Sequence, residues 1–172
     1  MSLSSTYALD SSVFIEAKRR YYAFDLCPGF WEALLWHQAH GRVCSVDRVK
    51  AEIERGHDDL WEWISVMMPE ACFAAVDTID VGNAYVGVMT WVQGQAQFQP
   101  EAKDRFAASA DGWLVAYAKA TGAVVVTQER PRPGVRNRVP IPNVCEASGV
   151  SFVDTFDMLR ALSTRFTWQP TV

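Results

Sequence analysis

Apolar positions along the chain follow two patterns that alternate. Short continuous apolar runs occur at residues 7–9 (YAL), 42–45 (RVCS), 72–76, 123–127 (AVVVT) and 151–153. Such runs read as strands buried on both faces, the mark of a parallel sheet. Between them apolar residues return at helical spacing. A helix follows the first strand, with Ser11 or Ser12 as its cap. Further helices are expected over 28–40, 47–55, 59–68, 79–92, 101–109, 111–121, 143–148 and 155–162. Pro28 opens one of them, and Gly41, Gly56, Pro69 and Gly122 close others. Residues 130–142 (RPRPGVRNRVPIP) read as a loop. Alternating strands and helices predict an α/β fold, a central parallel sheet flanked by helices on both faces. No linker or repeat divides it, so one domain is expected over residues 1–172.

Composition narrows the function. The 49% apolar content excludes a disordered chain. A formal net charge of −4 excludes a protein that coats nucleic acid by bulk charge. It does not exclude nucleic acid as a substrate, because carboxylates that hold metal ions are counted as negative. The opening MSLSSTYALD has no basic segment ahead of an apolar core, so no secretory leader is expected. No apolar run is long enough to span a bilayer. A soluble, cytoplasmic protein follows. Cys27, Cys44, Cys72 and Cys145 are scattered with no C-x-x-C pair, which favours reduced thiols over disulfides.

Several carboxylates stand in awkward places. The stretch YALDSSVFIEA ends a buried strand on Asp10. A buried carboxylate is costly without a partner, so Asp10 either caps the next helix or meets positive charge. Thr127-Gln128-Glu129 stands at the corresponding end of AVVV, and open parallel sheets bind ligands beyond such ends. On a helix over 111–121, Asp111 shares the face of Leu114, Val115 and Ala118. It either charges the helix N-terminus or faces a site. Glu52 and Glu54 flank the stripe of Val46, Val49 and Ile53 on opposite sides, and periodicity does not choose between them. Acids near strand ends and helix starts suit hard divalent cations, as in nucleases and phosphatases.

Four segments carry a resemblance: YALDSSVFIEA, VKAEI, ADGWLVAYAKATGAVVVTQE and VSFVDTFDML. In order and spacing the chain resembles the PIN-domain family. It is most similar to a less characterised branch with tryptophan-rich helices and a late segment like IPNVCEASGV. The resemblance implies Mg²⁺- or Mn²⁺-dependent cleavage of RNA phosphodiesters by in-line attack of water on phosphorus. It also implies a type II toxin with a cognate antitoxin, and a homodimer. Carried over by residue, it makes Asp10, Glu52, Asp111 and Glu129 the catalytic and metal-binding acids. It thereby chooses Glu52, which periodicity could not. Ser11 and Thr127 become supporting hydroxyls. Glu129 stands where the family usually has aspartate, one methylene shorter.

Other features have simpler readings beside the functional one. Arg130, Arg132, Arg136 and Arg138 either grip RNA phosphates or an acidic partner, or solubilise the loop. Lys18-Arg19-Arg20 is expected on a solvated helix face. His37 and His40, at i and i+3, lack a third ligand at recognised spacing, so packing or surface roles are expected. His57 follows a helix stop and is expected to be exposed. Most of the seven tryptophans recur at core spacing, whereas Trp61 and Trp63 point different ways, which places one at an interface. Two alternatives to the ribonuclease remain: a catalytically weak PIN-like module that binds nucleic acid or protein, and a phosphatase or nucleotide hydrolase using the same carboxylates.

Overall fold

The computed structural model describes residues 5–168 and 170. The chain runs β1 (Tyr7–Leu9), α1 (Ser11–Glu16), α2 (Pro28–Ala39), β2 (Val43–Val46), α3 (Asp47–Glu54) and α4 (Asp59–Met67). It continues through β3 (Phe73–Ala74), α5 (Ile79–Gly94), α6 (Pro100–Ala108), α7 (Asp111–Thr121), β4 (Val124–Val126), α8 (Ile141–Ser148), β5 (Phe152–Val153) and α9 (Thr155–Ala161).

The five strands of the described residues form one parallel sheet in the order β3-β2-β1-β4-β5. In the centre, Tyr7 pairs with Val43 on one side and Val124 on the other. Successive strand residues point to opposite faces. Tyr7, Ala8 and Leu9 are nevertheless all buried, so both faces are covered, as the continuous apolar runs imply. The chain builds outward from β1 in one direction and then crosses to β4 on the other side. The crevice between the carboxyl ends of β1 and β4 is therefore a topological switch point, where open α/β sheets place ligands.

Element order and type agree with the apolar pattern, and the differences lie at the edges. The strand expected over 72–76 is reduced to Phe73–Ala74, because a 3₁₀ turn at Glu70–Cys72 precedes it and only β2 pairs with it. Helix α5 runs through Gly82 and Gly87 to Gly94. Neither Ser11 nor Ser12 caps α1. Asp10 occupies the cap position, and its carboxylate accepts no backbone N–H there. Helix α1 then widens into a π-helical turn, Ala17–Tyr21, where the Tyr22 N–H donates to the Ala17 carbonyl at 2.7 Å.

Of the basic triplet in that turn, Arg19 and Arg20 are exposed, as expected, and Lys18 is not. Lys18 is largely covered and ion-pairs with Asp58 at 2.9 Å and with Asp59. Trp61 and Trp63 are both half-buried against the core, and Trp63 meets Trp31 edge to face at 4.8 Å. The exposed tryptophans are instead Trp36 and Trp168. His37 is a packing residue, 7% exposed, with Nε2 at 2.8 Å from the Thr164 hydroxyl. His57 is exposed. All four cysteines are free. Among the described residues, no helix is long and apolar enough to cross a membrane.

Candidate active site

Asp10 leaves β1 at the switch point and is 3% exposed. Its backbone N–H donates to the Val126 carbonyl at 2.9 Å, which extends the β1–β4 ladder by one residue. Its carboxylate is held by hydroxyls. Oδ2 accepts from Ser12 at 2.5 Å and from Thr127 at 3.0 Å, and Ser11 reaches Oδ1 only at 3.4 Å. Ser12 also accepts from the Gln128 N–H at 3.1 Å, so it ties α1 to the chain leaving β4. Thr127 thus donates directly to Asp10. The stronger serine is Ser12, not Ser11, because the helix that starts at Ser11 turns Ser12 towards β4. Hydroxyl donors fix the orientation of a carboxylate without neutralising its charge.

Asp111 approaches from α7. A glycine follows it for steric reasons: a Cβ on Gly112 would lie 3.1 Å from ring carbons of both Phe106 and Tyr85. Helix α7 is thereby wedged close to α5 and α6, and Leu114, Val115 and Ala118 are buried beneath the face that carries Asp111. From α3, Glu52 accepts the Ala110 N–H on Oε1 at 2.7 Å and so pins the N-terminus of α7. Glu54 is exposed. Of the two glutamates, Glu52 is the one that contacts the start of α7.

Burial pushes the Asp111 carboxyl up to about 7, with the charges of Asp10 and Glu52 adding to the rise. Ser109 and Arg138 pull the other way. Asp111 is thus a buried acid that feels the charges of Asp10 and Glu52, and Arg138 partly offsets them.

Glu129 has a different setting. One carboxylate oxygen ion-pairs with Arg138, and the other accepts the Ile141 N–H at the start of α8 at 2.8 Å. It is not among the charges that shift Asp111. Beside it opens a cavity of about 470 Å³, lined on this side by Ser12, Glu129, Arg130, Arg132 and Arg138. Arg136 is not part of that lining. A smaller cavity on the other side of Arg138 contains Asp111. Arg138 therefore stands between the acidic centre and the arginine-lined cleft, a place that charge patterning along the loop does not reveal.

The arginine loop is fastened down. Gln97 donates to the Pro133 and Val135 carbonyls at 2.6 and 2.8 Å, and the Gln99 N–H donates to Arg136 at 2.9 Å. Arg105 donates to the Asn137 carbonyl, and Asn143 exchanges hydrogen bonds with the Arg132 backbone at 3.0 and 3.1 Å.

Among the described residues, no three His, Cys, Asp or Glu side chains are grouped so as to hold a metal ion. Mg²⁺ does not require such a group, since it is commonly held by one or two carboxylates, with water and substrate phosphate completing its shell. Asp10 and Asp111 supply hard oxygen donors of this kind. Burial, with the charges of Asp10 and Glu52 adding to it, raises the Asp111 carboxyl; a cation would relieve both, so this pair of oxygen donors fits a divalent metal.

The five-stranded parallel sheet covered by helices makes an α/β domain of PIN-like fold. The sequence matches the family described as domain of unknown function DUF4411 over residues 7–166, and the chain belongs to it. Its structure is similar to that of FitAcB from Neisseria gonorrhoeae, with a TM-score of 0.52 and 15% identity over 86% of this chain and 96% of that one. No curated protein matches the sequence.

Proposed function

We propose that the protein is an endoribonuclease dependent on Mg²⁺ or Mn²⁺, acting as the toxin of a toxin–antitoxin pair. The observation that carries this reading is Asp10, buried at the β1–β4 switch point with only hydroxyl partners, beside an arginine-lined cleft. It is an arrangement suited to a cation on one side and phosphates on the other.

Asp10 and Asp111 would hold the metal, and Glu52 would support them. When bound, the metal lowers the pKa of water and stabilises negative charge on phosphoryl oxygens. The chain's own residues then divide the remaining work. Ser12 and Thr127 keep the Asp10 carboxylate in one orientation. Glu52 sets the position of Asp111 through the Ala110 N–H. Arg138, within reach of both cavities, binds a non-bridging phosphate oxygen and offsets the charge that builds up during in-line attack. Arg130 and Arg132 bind neighbouring phosphates. The antitoxin and a homodimeric state belong to the same reading and rest on the resemblance to PIN-domain toxins.

One observation favours a second reading. Glu129 is already committed to Arg138 and Ile141, which suits a PIN-like module of weak or lost catalysis that binds nucleic acid.

The test is incubation with a mixed set of structured RNAs, in Mg²⁺ or Mn²⁺ and then in EDTA, beside Asp10→Asn and Asp111→Asn. Metal-dependent cleavage lost in both variants is the expected result. A folded wild type that neither binds divalent metal nor cuts any RNA overturns the nuclease. Retained RNA binding in that case selects the binding module.

A further inference from the structure

The cleft beside the carboxylate centre has a second wall that the catalytic reading leaves unused. It comes from the π-helical turn after α1 and from α9, and it presents Arg20, Tyr21 and Phe156. The two adjacent tyrosines there are split between core and solvent. Tyr22 stacks on Phe30 at 4.3 Å with ring planes 4° apart, whereas Tyr21 is 53% exposed. Phe156 supports the Tyr21 ring edge to face, with centroids 5.5 Å apart at 76°. Wide π turns are frequent at functional sites. This one carries Arg20 and Tyr21 to the rim of the cavity.

The charge of the cleft is unevenly spent. Four arginines, Arg20, Arg130, Arg132 and Arg138, face three carboxylates, Glu16, Glu129 and Asp154. Glu16 pairs with Arg20 at 3.0 Å, Glu129 pairs with Arg138, and Asp154 accepts the Asp157 N–H at 2.9 Å as the cap of α9. Arg130 and Arg132 make no ion pair among the described residues. The loop that carries them is fastened at Gln97, Gln99, Arg105 and Asn143, so little ordering remains to be done on binding. A supported, half-exposed aromatic ring opposite two unpaired guanidinium groups matches a nucleotide, whose base offers a π face and whose backbone offers phosphates. Only an unpaired base offers that face; in a duplex it is covered by stacking.

We propose that this cleft is a single-stranded RNA subsite, in which Tyr21 stacks on one unpaired base and Arg130 and Arg132 hold its flanking phosphates. The subsite rests on the ribonuclease reading and names the form of RNA that reaches the carboxylates: a strand with at least one base splayed out next to the cut.

The experiment measures binding of a fluorescently labelled short single-stranded RNA to the full chain in EDTA, where metal-dependent cleavage is silent. A series of the same RNA carries one abasic ribose at each position in turn. Tyr21→Ala is expected to weaken binding of the intact RNA by roughly tenfold, the scale of one stacked base. Tyr21→Phe, which keeps the ring, retains wild-type affinity. The Tyr21→Ala loss disappears when the abasic site occupies one particular position, a coupling that a merely structural role for Tyr21 does not produce. Arg132→Ala is expected to reduce the slope of log affinity against log salt by about 0.7, one phosphate contact on a single strand. Duplex RNA of the same sequence binds without dependence on Tyr21. Tyr21→Ala binding the whole series like wild type overturns the subsite alone, provided Mg²⁺-dependent cleavage is seen. No RNA binding and no cleavage by the folded wild type overturns the subsite and the nuclease together.

Discussion

Asp10 and Glu129 both follow the carboxyl end of a central strand, Asp10 directly after β1 and Glu129 three residues after β4, yet their surroundings are opposite. Asp10 is buried and receives only hydroxyl donors from Ser12 and Thr127. Glu129 receives a guanidinium from Arg138 and a helix N-terminal N–H from Ile141. One carboxylate is held in place with its charge left over, and the other is neutralised where it sits. A group whose charge is left over at a ligand crevice is available for a cation; one already neutralised does structural work first. That contrast separates Asp10 from Glu129 more sharply than their shared position after a strand joins them.

The largest effect expected from this contrast is on cleavage. Asp10→Asn keeps the hydroxyl contacts but removes the charge, and should lower metal-dependent RNA cleavage by roughly 10³-fold. Glu129→Gln should lower it less than about tenfold, because Arg138 is freed rather than lost. Equal losses in cleavage assays of the two variants would erase the distinction.

The next effect is on stability in EDTA. The Asp111 carboxyl is raised to about 7 in the folded chain, against about 3.9 when unfolded. Between those values the folded state keeps a proton that the unfolded state has lost. Stability therefore falls as pH rises from about 4 through about 7 and stays reduced above. Asp111→Asn should flatten this fall and stabilise the metal-free protein at pH 8 by about 1–3 kcal/mol. Urea titrations at several pH values measure it. A wild-type stability that rises over this window would contradict the crowding of carboxylates.

Smaller still, Glu129→Gln should cost about 1 kcal/mol in a thermal or urea melt, since Arg138 is half exposed and the pair is partly screened. Smallest, Ser12→Ala and Ser11→Ala should differ. The first, with its short bond to Asp10, should cost about 1 kcal/mol of stability, and the second about 0.5 kcal/mol or less. Reversed melts would return the supporting role to Ser11.

Much of this was legible in the sequence. The continuous run AVVV and the apolar YAL define the central strands, and the stripe of Leu114, Val115 and Ala118 carries Asp111 with it to the core side. Edge strands were less legible. β3 and β5 each have one neighbour, and two residues suffice to pair, so their apolar flanks overstate their length. The choice of Glu52 needed the Ala110 N–H, a contact across 58 residues that periodicity along one helix does not contain. The engagement of Glu129 likewise depends on where a proline-rich loop returns to the sheet. Arg20 and Tyr21 were illegible for another reason: a reading at 3.6 residues per turn assumes one helical phase, and the π turn breaks it.

That broken phase bears on how such a chain can vary. A π turn in an α-helix stores one surplus residue. Loss of a single residue between Ala17 and Tyr21 would let the segment close as an ordinary α-helix and change which side chains it brings to the rim of the cleft. The sheet, the acids and the core of β1 lie outside that segment and would be untouched. Relatives that keep the same carboxylates but differ by one residue here would therefore present a different side chain to the cleft. The rim of the cleft can thus change by insertion and deletion while the buried carboxylates stay in place.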